Sequence, residues 1–226
     1  MRIKLLLPLV VAAFAASSCQ SAASAAESVV MAPAAKRIAH ESGGLKTAIF
    51  SGGCFWGVEA VFSHVRGVKS AISGYDGGDA KNPSYEQVST GTTGHRESVK
   101  VTYDPKVVRY DQLLQVFFSV VADPTLRNRQ GPDEGTQYNA ALVPLSKEQH
   151  DVAAAYLAQM KTSGKWKAPI VTGIAPAKPF YPAEGYHQDF ILKNPHQGYI
   201  VQWDLPKVAA LKQLFPSLYS PTFQTG

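Results

Sequence analysis

Residues 46–65 read KTAIFSGGCFWGVEAVFSHV, and the change of rhythm inside this stretch decides the fold. Thr47 to Ser51, with Ile49 and Phe50 at its centre, predicts a short strand. Gly52-Gly53 breaks it, and from Cys54 the period changes. Val58, Val61, Phe62 and Val65 fall on one side of a helix, at the spacing an amphipathic helix needs. Gly67 stops that helix. A strand, a tight glycine turn and a helix therefore follow one another directly, with a cysteine at the joint.

Outward from this unit, Val68 to Tyr75 predicts a second strand, closed by the turn Asp76-Gly77-Gly78-Asp79. Val99, Val101 and Tyr103 alternate with Lys100 and Thr102, a strand with one buried and one wet face. Tyr110 to Val121 reads as a helix with Leu113, Leu114, Phe117 and Phe118 inward. Ala122 to Gln137 has no period and is rich in Arg, Asn, Gly and Pro, a long loop of the kind that often carries function. Ala140–Pro144 and Val171–Ile174 read as further strands. Ser146 opens a helix to about Thr162, with Gln149 three residues on as its capping partner. Ala183–Leu192 reads as a short helix ended by Asn194-Pro195, and the last thirty residues as loop with one helix near Lys207–Leu214. Strands and helices interleave without strict βα repetition. The expected class is α+β, a two-layer sandwich of a mixed sheet and packed helices.

The chain has 226 residues, enough for one domain with a tail. Its start is compositionally distinct. Met1 to Lys4 is basic, Leu5–Ala16 is a short apolar run, and Ser17–Ala26 is rich in small residues. This is the layout of a secretory signal over residues 1–25, too short in its apolar part to span a bilayer. Two processing sites compete. An Ala23-Ser24-Ala25 site releases a soluble protein; cleavage before Cys19 attaches a lipid there. The expected location is therefore exported, either periplasmic or as a membrane-anchored lipoprotein. Residues 26–45 read as a flexible lead-in, and residues 46–226 as the folded domain.

Loss of the segment with Arg2 and Lys4 lowers the formal charge by two from +5. The remaining basic residues are scattered, so nucleic acid is not an expected partner. There is no P-loop and no dinucleotide glycine motif. His40, His64, His95, His150, His187 and His196 show no metal-ligand spacing. Neither a cofactor nor a metal is expected.

The chain has two cysteines. Cys19 is discarded or lipidated, which leaves Cys54 as a lone thiol in an exported domain, where cysteines are usually paired or avoided. It is either a reactive group or a small buried hydrophobe. Its place in the first turn of a helix, beside unsatisfied N–H groups, predicts a depressed thiol pKa. Phe55 and Trp56 are either core aromatics or walls of an apolar pocket. Glu97 has the parity of Val99, Val101 and Tyr103. It is either a frayed strand end or a buried carboxyl with a raised pKa, ready to act as an acid. Tyr85, Asp133 and Tyr138 lie in polar loops.

The run Gly53-Cys54-Phe55-Trp56-Gly57 resembles the signature of the A-type peptide methionine sulfoxide reductases. The similarity continues through Gly74-Tyr75, Gly77-Gly78, Asn82-Pro83-Ser84-Tyr85, Gly94-His95-Arg96-Glu97, Asp123-Pro124-Thr125, Asn128-Arg129-Gln130-Gly131, Asp133, Gly135-Thr136-Gln137-Tyr138 and Ala183-Glu184-Gly185-Tyr186-His187-Gln188. These blocks stand in family order from about residue 47 to 200. The resemblance implies a ferredoxin-like core and reduction of the S-epimer of methionine sulfoxide, free or in proteins. It implies that Cys54 attacks sulfur and Glu97 protonates the oxygen. Tyr85 and Tyr138 donate to that oxygen, Phe55 and Trp56 hold the S-methyl group, and Asp133 orders the site. A sulfenic acid is left on Cys54.

Many relatives carry further cysteines near the C-terminus that resolve the sulfenic acid; here none follows Cys54. The expectation is a one-cysteine cycle closed by an external thiol, such as a thioredoxin-like protein, in repair of oxidised exported proteins. A retained Cys19 is the rival resolver. Smaller departures are Ala122, Asn139-Ala140 and Gly185. Two other classes compete: a Cys–His hydrolase using His187 or His95, and a non-catalytic module that grips methionine through Phe55 and Trp56.

Overall fold

The computed structural model describes residues 29–226. The expected signal segment and Cys19 lie outside the described residues. The chain runs β1 (Lys46–Ser51), α1 (Phe55–Ser63), β2 (Val68–Asp76), α2 (Tyr85–Ser89), β3 (Arg96–Tyr103) and α3 (Tyr110–Val116). A π-helical turn (Phe117–Val121) extends α3. Then come β4 (Arg129–Gln130), β5 (Asp133–Glu134), a 3-10 turn (Thr136–Tyr138), β6 (Ala141–Val143) and α4 (Lys147–Lys161). The remainder is β7 (Gly173–Ile174), β8 (Tyr181–Pro182), α5 (Phe190–Lys193), a second π-helical turn (Ile200–Asp204) and α6 (Leu205–Leu214).

One sheet has the order β7-β6-β1-β3-β2-β8, with β4-β5 a separate ribbon. Neighbours are antiparallel except β6 and β7, which are parallel. The sheet is mixed and carries helices, the α+β class the sequence predicts. Phe50 on β1 meets Phe62 of α1 at 4.7 Å and Tyr110 of α3 at 6.0 Å between ring centres. Both helices therefore pack on the face of the sheet that Phe50 presents.

α1 is buried on every side, not on one stripe. Val58, Val61 and Phe62 enter the main core, while Ala60 joins a second cluster with Ile191 and Ile200, which Trp56 flanks. The helix lies between the sheet and the C-terminal elements, which is why the sequence shows no charged solvent stripe along it and its one carboxyl, Glu59, is buried.

Residues 29–45 differ from the expected flexible lead-in. They cross α3 and α4 as a packed strap. Ala32 is fully buried, and its N–H donates to Ser119 Oγ at 3.0 Å. The Tyr156 hydroxyl donates to Pro33 O, the Ala39 N–H to Asp111 Oδ1, and the Tyr103 hydroxyl to Glu41 Oε2. Side chains of the helices satisfy the strap's backbone, which needs no periodic pattern of its own.

The expected helix Ala183–Leu192 shrinks to Phe190–Lys193. Asp189 adopts a left-handed φ of 53°, and the Gln188 amide pairs instead with both backbone groups of Ser73 on β2. Beyond α6 the tail is pinned to the far end of α1: Ser220 and Gln224 donate their N–H groups to His64 O and Ser63 O.

Candidate active site

Cys54 sits at the N-cap of α1, half-buried, after two glycines that admit no side chain. A Cβ on Gly52 would stand 2.7 Å from the Phe117 ring, and one on Gly53, whose φ is +89°, 2.5 Å from Gln130 Cβ. Gln130 is buried and bonds both backbone groups of Asp123 through its amide. The β4-β5 ribbon is thereby pressed against the cysteine loop, which brings Asp133 from the long polar loop into the site.

Glu97 comes from β3, opposite Tyr75 of β2, and is 2% exposed. Its Oε2 accepts the N–H of Phe55, the residue after Cys54, at 2.9 Å. Burial raises its pKa to about 8, with the Asp133 and Asp204 charges adding to the shift and the Phe55 N–H opposing it. At neutral pH the carboxyl is largely protonated.

Cys54 differs from expectation. Burial pushes its thiol well above the ordinary value, and Glu97, Asp204 and Asp133 push it further. The Trp56 backbone N–H alone pulls it down. The helix terminus is real, but one of its donors is spent on Glu97, and the charges of three carboxyl groups oppose ionisation of the sulfur. The resting thiol keeps its proton.

Around this pair stands an aromatic wall. Phe55 lies 5.0 Å from His187 and 5.9 Å from Tyr75 between ring centres. Trp56 stacks flat on Phe190 at 3.7 Å and donates its indole N–H to His187 Nδ1 at 3.1 Å. Tyr85 opens α2 behind a Ser84–Gln87 capping box, and its backbone N–H donates to Glu184. Glu184 also accepts the Tyr75 hydroxyl. Tyr138 ends the 3-10 turn. Burial raises the phenols of Tyr85 and Tyr138, and both feel the charge of Glu97, Asp133 and Cys54, which places them around one centre. The structure thus gathers Cys54, Phe55, Trp56, Tyr85, Glu97, Asp133 and Tyr138.

Residues the sequence did not single out complete it. The Tyr199 hydroxyl donates to Asp133 Oδ2, and its ring meets Trp56 edge-on at 6.0 Å. Asp204 is fully buried and approaches α1 at Gly57, where a Cβ would stand 2.3 Å from Asp204 Oδ1. Gly57 stands inside the helix where a side chain would collide with Asp204; no local sequence pattern points to that partner.

Of the two histidines a Cys–His hydrolase would use, His95 is engaged through both nitrogens and His187 through one, its buried Nε2 having no hydrogen-bond partner among the described residues. His95 Nδ1 accepts the Gly78 N–H and Nε2 bonds Ala80 O, so neither nitrogen serves Cys54 as a base. His187 has its Nδ1 on Trp56, and burial lowers its pKa. Among the described residues no group of three or more His, Cys, Asp and Glu side chains is placed to hold a metal. No described helix is long and apolar enough to cross a membrane. Asn139, a departure from the family pattern, bonds Asn128 twice across the base of the ribbon. Gly185, another, has open space where a Cβ would stand. Ala122 is buried, and nothing in the structure explains it.

A family model described as peptide methionine sulfoxide reductase matches residues 46–217. The peptide methionine sulfoxide reductase MsrA 2 of Mesorhizobium japonicum is 57% identical over 177 residues, 78% of this chain and 91% of the relative. The MsrA of Deinococcus radiodurans is 50% identical over 168 residues, 74% and 81% of the two chains. Among solved structures, reduced Mxr1 of Saccharomyces cerevisiae superposes with a TM-score of 0.61 at 35% identity, covering 73% of this chain and 93% of its own. Methionine sulfoxide reductase A of Corynebacterium diphtheriae gives 0.58 at 35% identity, covering 68% and 77%. The chain with its cysteine and neutral carboxyl at the head of α1 belongs to the peptide methionine sulfoxide reductase family, and it is an oxidoreductase.

Proposed function

We propose that this protein reduces the S-epimer of methionine sulfoxide, free and within proteins, through Cys54 and Glu97, and that an external thiol regenerates it. The observation that carries this is the bond from the Phe55 N–H to Glu97. It fixes a largely protonated carboxyl beside the only cysteine among the described residues.

A sulfoxide sulfur is weakly electrophilic, and its oxygen must gain protons as it leaves. Phe55 and Trp56 hold the S-methyl group, Tyr85 and Tyr138 donate to the oxygen, and Asp133, through Tyr199, orders that wall. Cys54 Sγ attacks sulfur as Glu97 protonates the oxygen; the thiol proton restores Glu97. One oxygen atom moves, so methionine sulfoxide and a thiol become methionine and a sulfenic acid on Cys54. One external thiol then displaces water to give a mixed disulfide, and a second releases Cys54 as the thiol and departs as a disulfide. A thioredoxin-like protein has the chemistry for that role.

The amino-terminal layout supports export, either as a soluble periplasmic protein released after Ala25 or as a lipoprotein anchored through Cys19, and the biological role is then repair of oxidised exported proteins. The order β6-β1-β3-β2 with antiparallel neighbours supports a ferredoxin-like core.

Turnover of each sulfoxide epimer by the wild type and by Cys54→Ser tests the reaction, with a small thiol and a dithiol protein as reductants. The expected result is turnover of the S-epimer alone, abolished by Cys54→Ser. After one turnover without reductant, mass spectrometry finds Cys54 as a trappable sulfenic acid. A Cys19–Cys54 disulfide overturns the one-cysteine cycle.

A further inference from the structure

α1 carries one buried carboxyl of its own, which the reaction does not use. Glu59 stands nearly one turn beyond Trp56 on the same side of the helix and is 1% exposed. Its Oε2 accepts the backbone N–H of Asp189 at 3.0 Å. Asp189 is the left-handed residue at the start of α5, a conformation that costs energy for a side chain larger than Gly and persists where its surroundings enforce it. Two positions before it is His187, whose Nδ1 takes the Trp56 indole N–H. The next residue is Phe190, whose ring lies on the indole within 4° of parallel. Helix and segment are therefore joined twice, once through the indole and once through the Glu59 carboxyl.

We propose that Glu59 is a positioning residue for sulfoxide binding: through Asp189 it holds His187 and Phe190 on Trp56 and so fixes one wall of the S-methyl pocket. This rests on the reading that Trp56 holds the methyl group. Glu59 does not face the reacting atoms. Its carboxyl is pushed up to about 8 by burial, so at neutral pH it is largely uncharged and a glutamine amide offers the same acceptor. Loss of the acceptor leaves a backbone N–H unpartnered and frees the segment to move.

Three variants of the full chain separate this from a merely structural role: Glu59→Ala, Glu59→Gln and Trp56→Ala. Each is assayed for KM and kcat with a peptide containing methionine sulfoxide, and for the rate at which iodoacetamide alkylates Cys54. Thermal melts confirm which variants fold. Glu59→Ala is expected to raise KM by about tenfold with kcat within about twofold, the signature of lost binding. Alkylation stays at the wild-type rate, and Glu59→Gln restores KM. A Glu59→Ala variant with wild-type KM, while Trp56→Ala raises it, overturns the role of Glu59 alone. A fall in alkylation together with kcat overturns it too, because Glu59 then acts on the cysteine or the fold. If Trp56→Ala leaves KM unchanged, the methyl-pocket reading fails and takes this one with it.

Discussion

At the scale of single residues, the site is a balance between one helix terminus and several carboxyl groups. The Trp56 N–H lowers the Cys54 pKa, but burial and the charges of Glu97, Asp204 and Asp133 raise it more. Glu97 is itself near pH 8, so its influence on the thiol switches on with pH. At pH 6 it is neutral and a glutamine in its place changes little. At pH 9 it is ionised, and the like charge holds the thiol proton. Glu97→Gln should therefore alkylate with iodoacetamide about three- to tenfold faster than the wild type at pH 9 and equally at pH 6, each unit of pKa being about tenfold in thiolate. Equal rates at both pH values would show that Glu97 does not face the sulfur. The parity of Glu97 with Val99 and Val101 made its burial legible in the sequence. The sign of the Cys54 shift was not legible, because Asp133 and Asp204 reach it from a polar loop and a π-helical turn far along the chain. No local pattern couples them to α1. The same distance hid Tyr199, although its bond to Asp133 ties the loop to the aromatic wall.

At the scale of elements, the strand–turn–helix unit was readable because a period of two gives way to a period of 3.6 across Gly52-Gly53. β3 and α3 followed from the same patterning, β2 from the glycine turns that bound it, and α4 from its Ser146–Gln149 cap. The two-residue strands β4, β5, β7 and β8 were not fully readable, since so short a run has no period and exists only by pairing with a neighbour. The strap over α3 and α4 was missed for a related reason: its order comes from side chains of the helices it crosses. α1 also shows what the periodic reading left out. Gly57 costs helix stability intrinsically, about 1 kcal/mol against Ala, yet its hydrogen lets Asp204 come within reach of the first turn. Gly57→Ala should destabilise the protein by about 1–3 kcal/mol in urea denaturation despite the better helix former, because the methyl group drives into a buried carboxyl. A stabilised variant would mean that Asp204 moves aside at no cost.

At the scale of the whole molecule, two buried glutamates leave a signature in the pH dependence of folding. Glu59 and Glu97 are raised from 4.5 to about 8, chiefly by burial. In the unfolded chain both titrate near the ordinary glutamate value, so between about pH 4.5 and 8 the folded state binds more protons than the unfolded one. Stability therefore falls as pH rises through this window; the contribution is fully present below the unfolded pKa and lost above the folded one. Other groups shape the curve elsewhere. Glu184, bonded by the Tyr85 N–H and the Tyr75 hydroxyl, has a lowered pKa and acts at lower pH. His187, lowered by burial, works in the opposite sense below its ordinary 6.5. Both are common to wild type and to the double variant Glu59→Gln, Glu97→Gln, so the difference between the two proteins isolates the glutamates. Urea denaturation at pH 5 and pH 8 should show the wild type losing about 1–3 kcal/mol relative to the double variant over that interval, a fraction of the full linkage because an ionised carboxyl can relax toward water. Parallel curves would mean that neither carboxyl is held neutral in the folded protein, and the acid assigned to Glu97 would then be ionised when the reaction needs its proton.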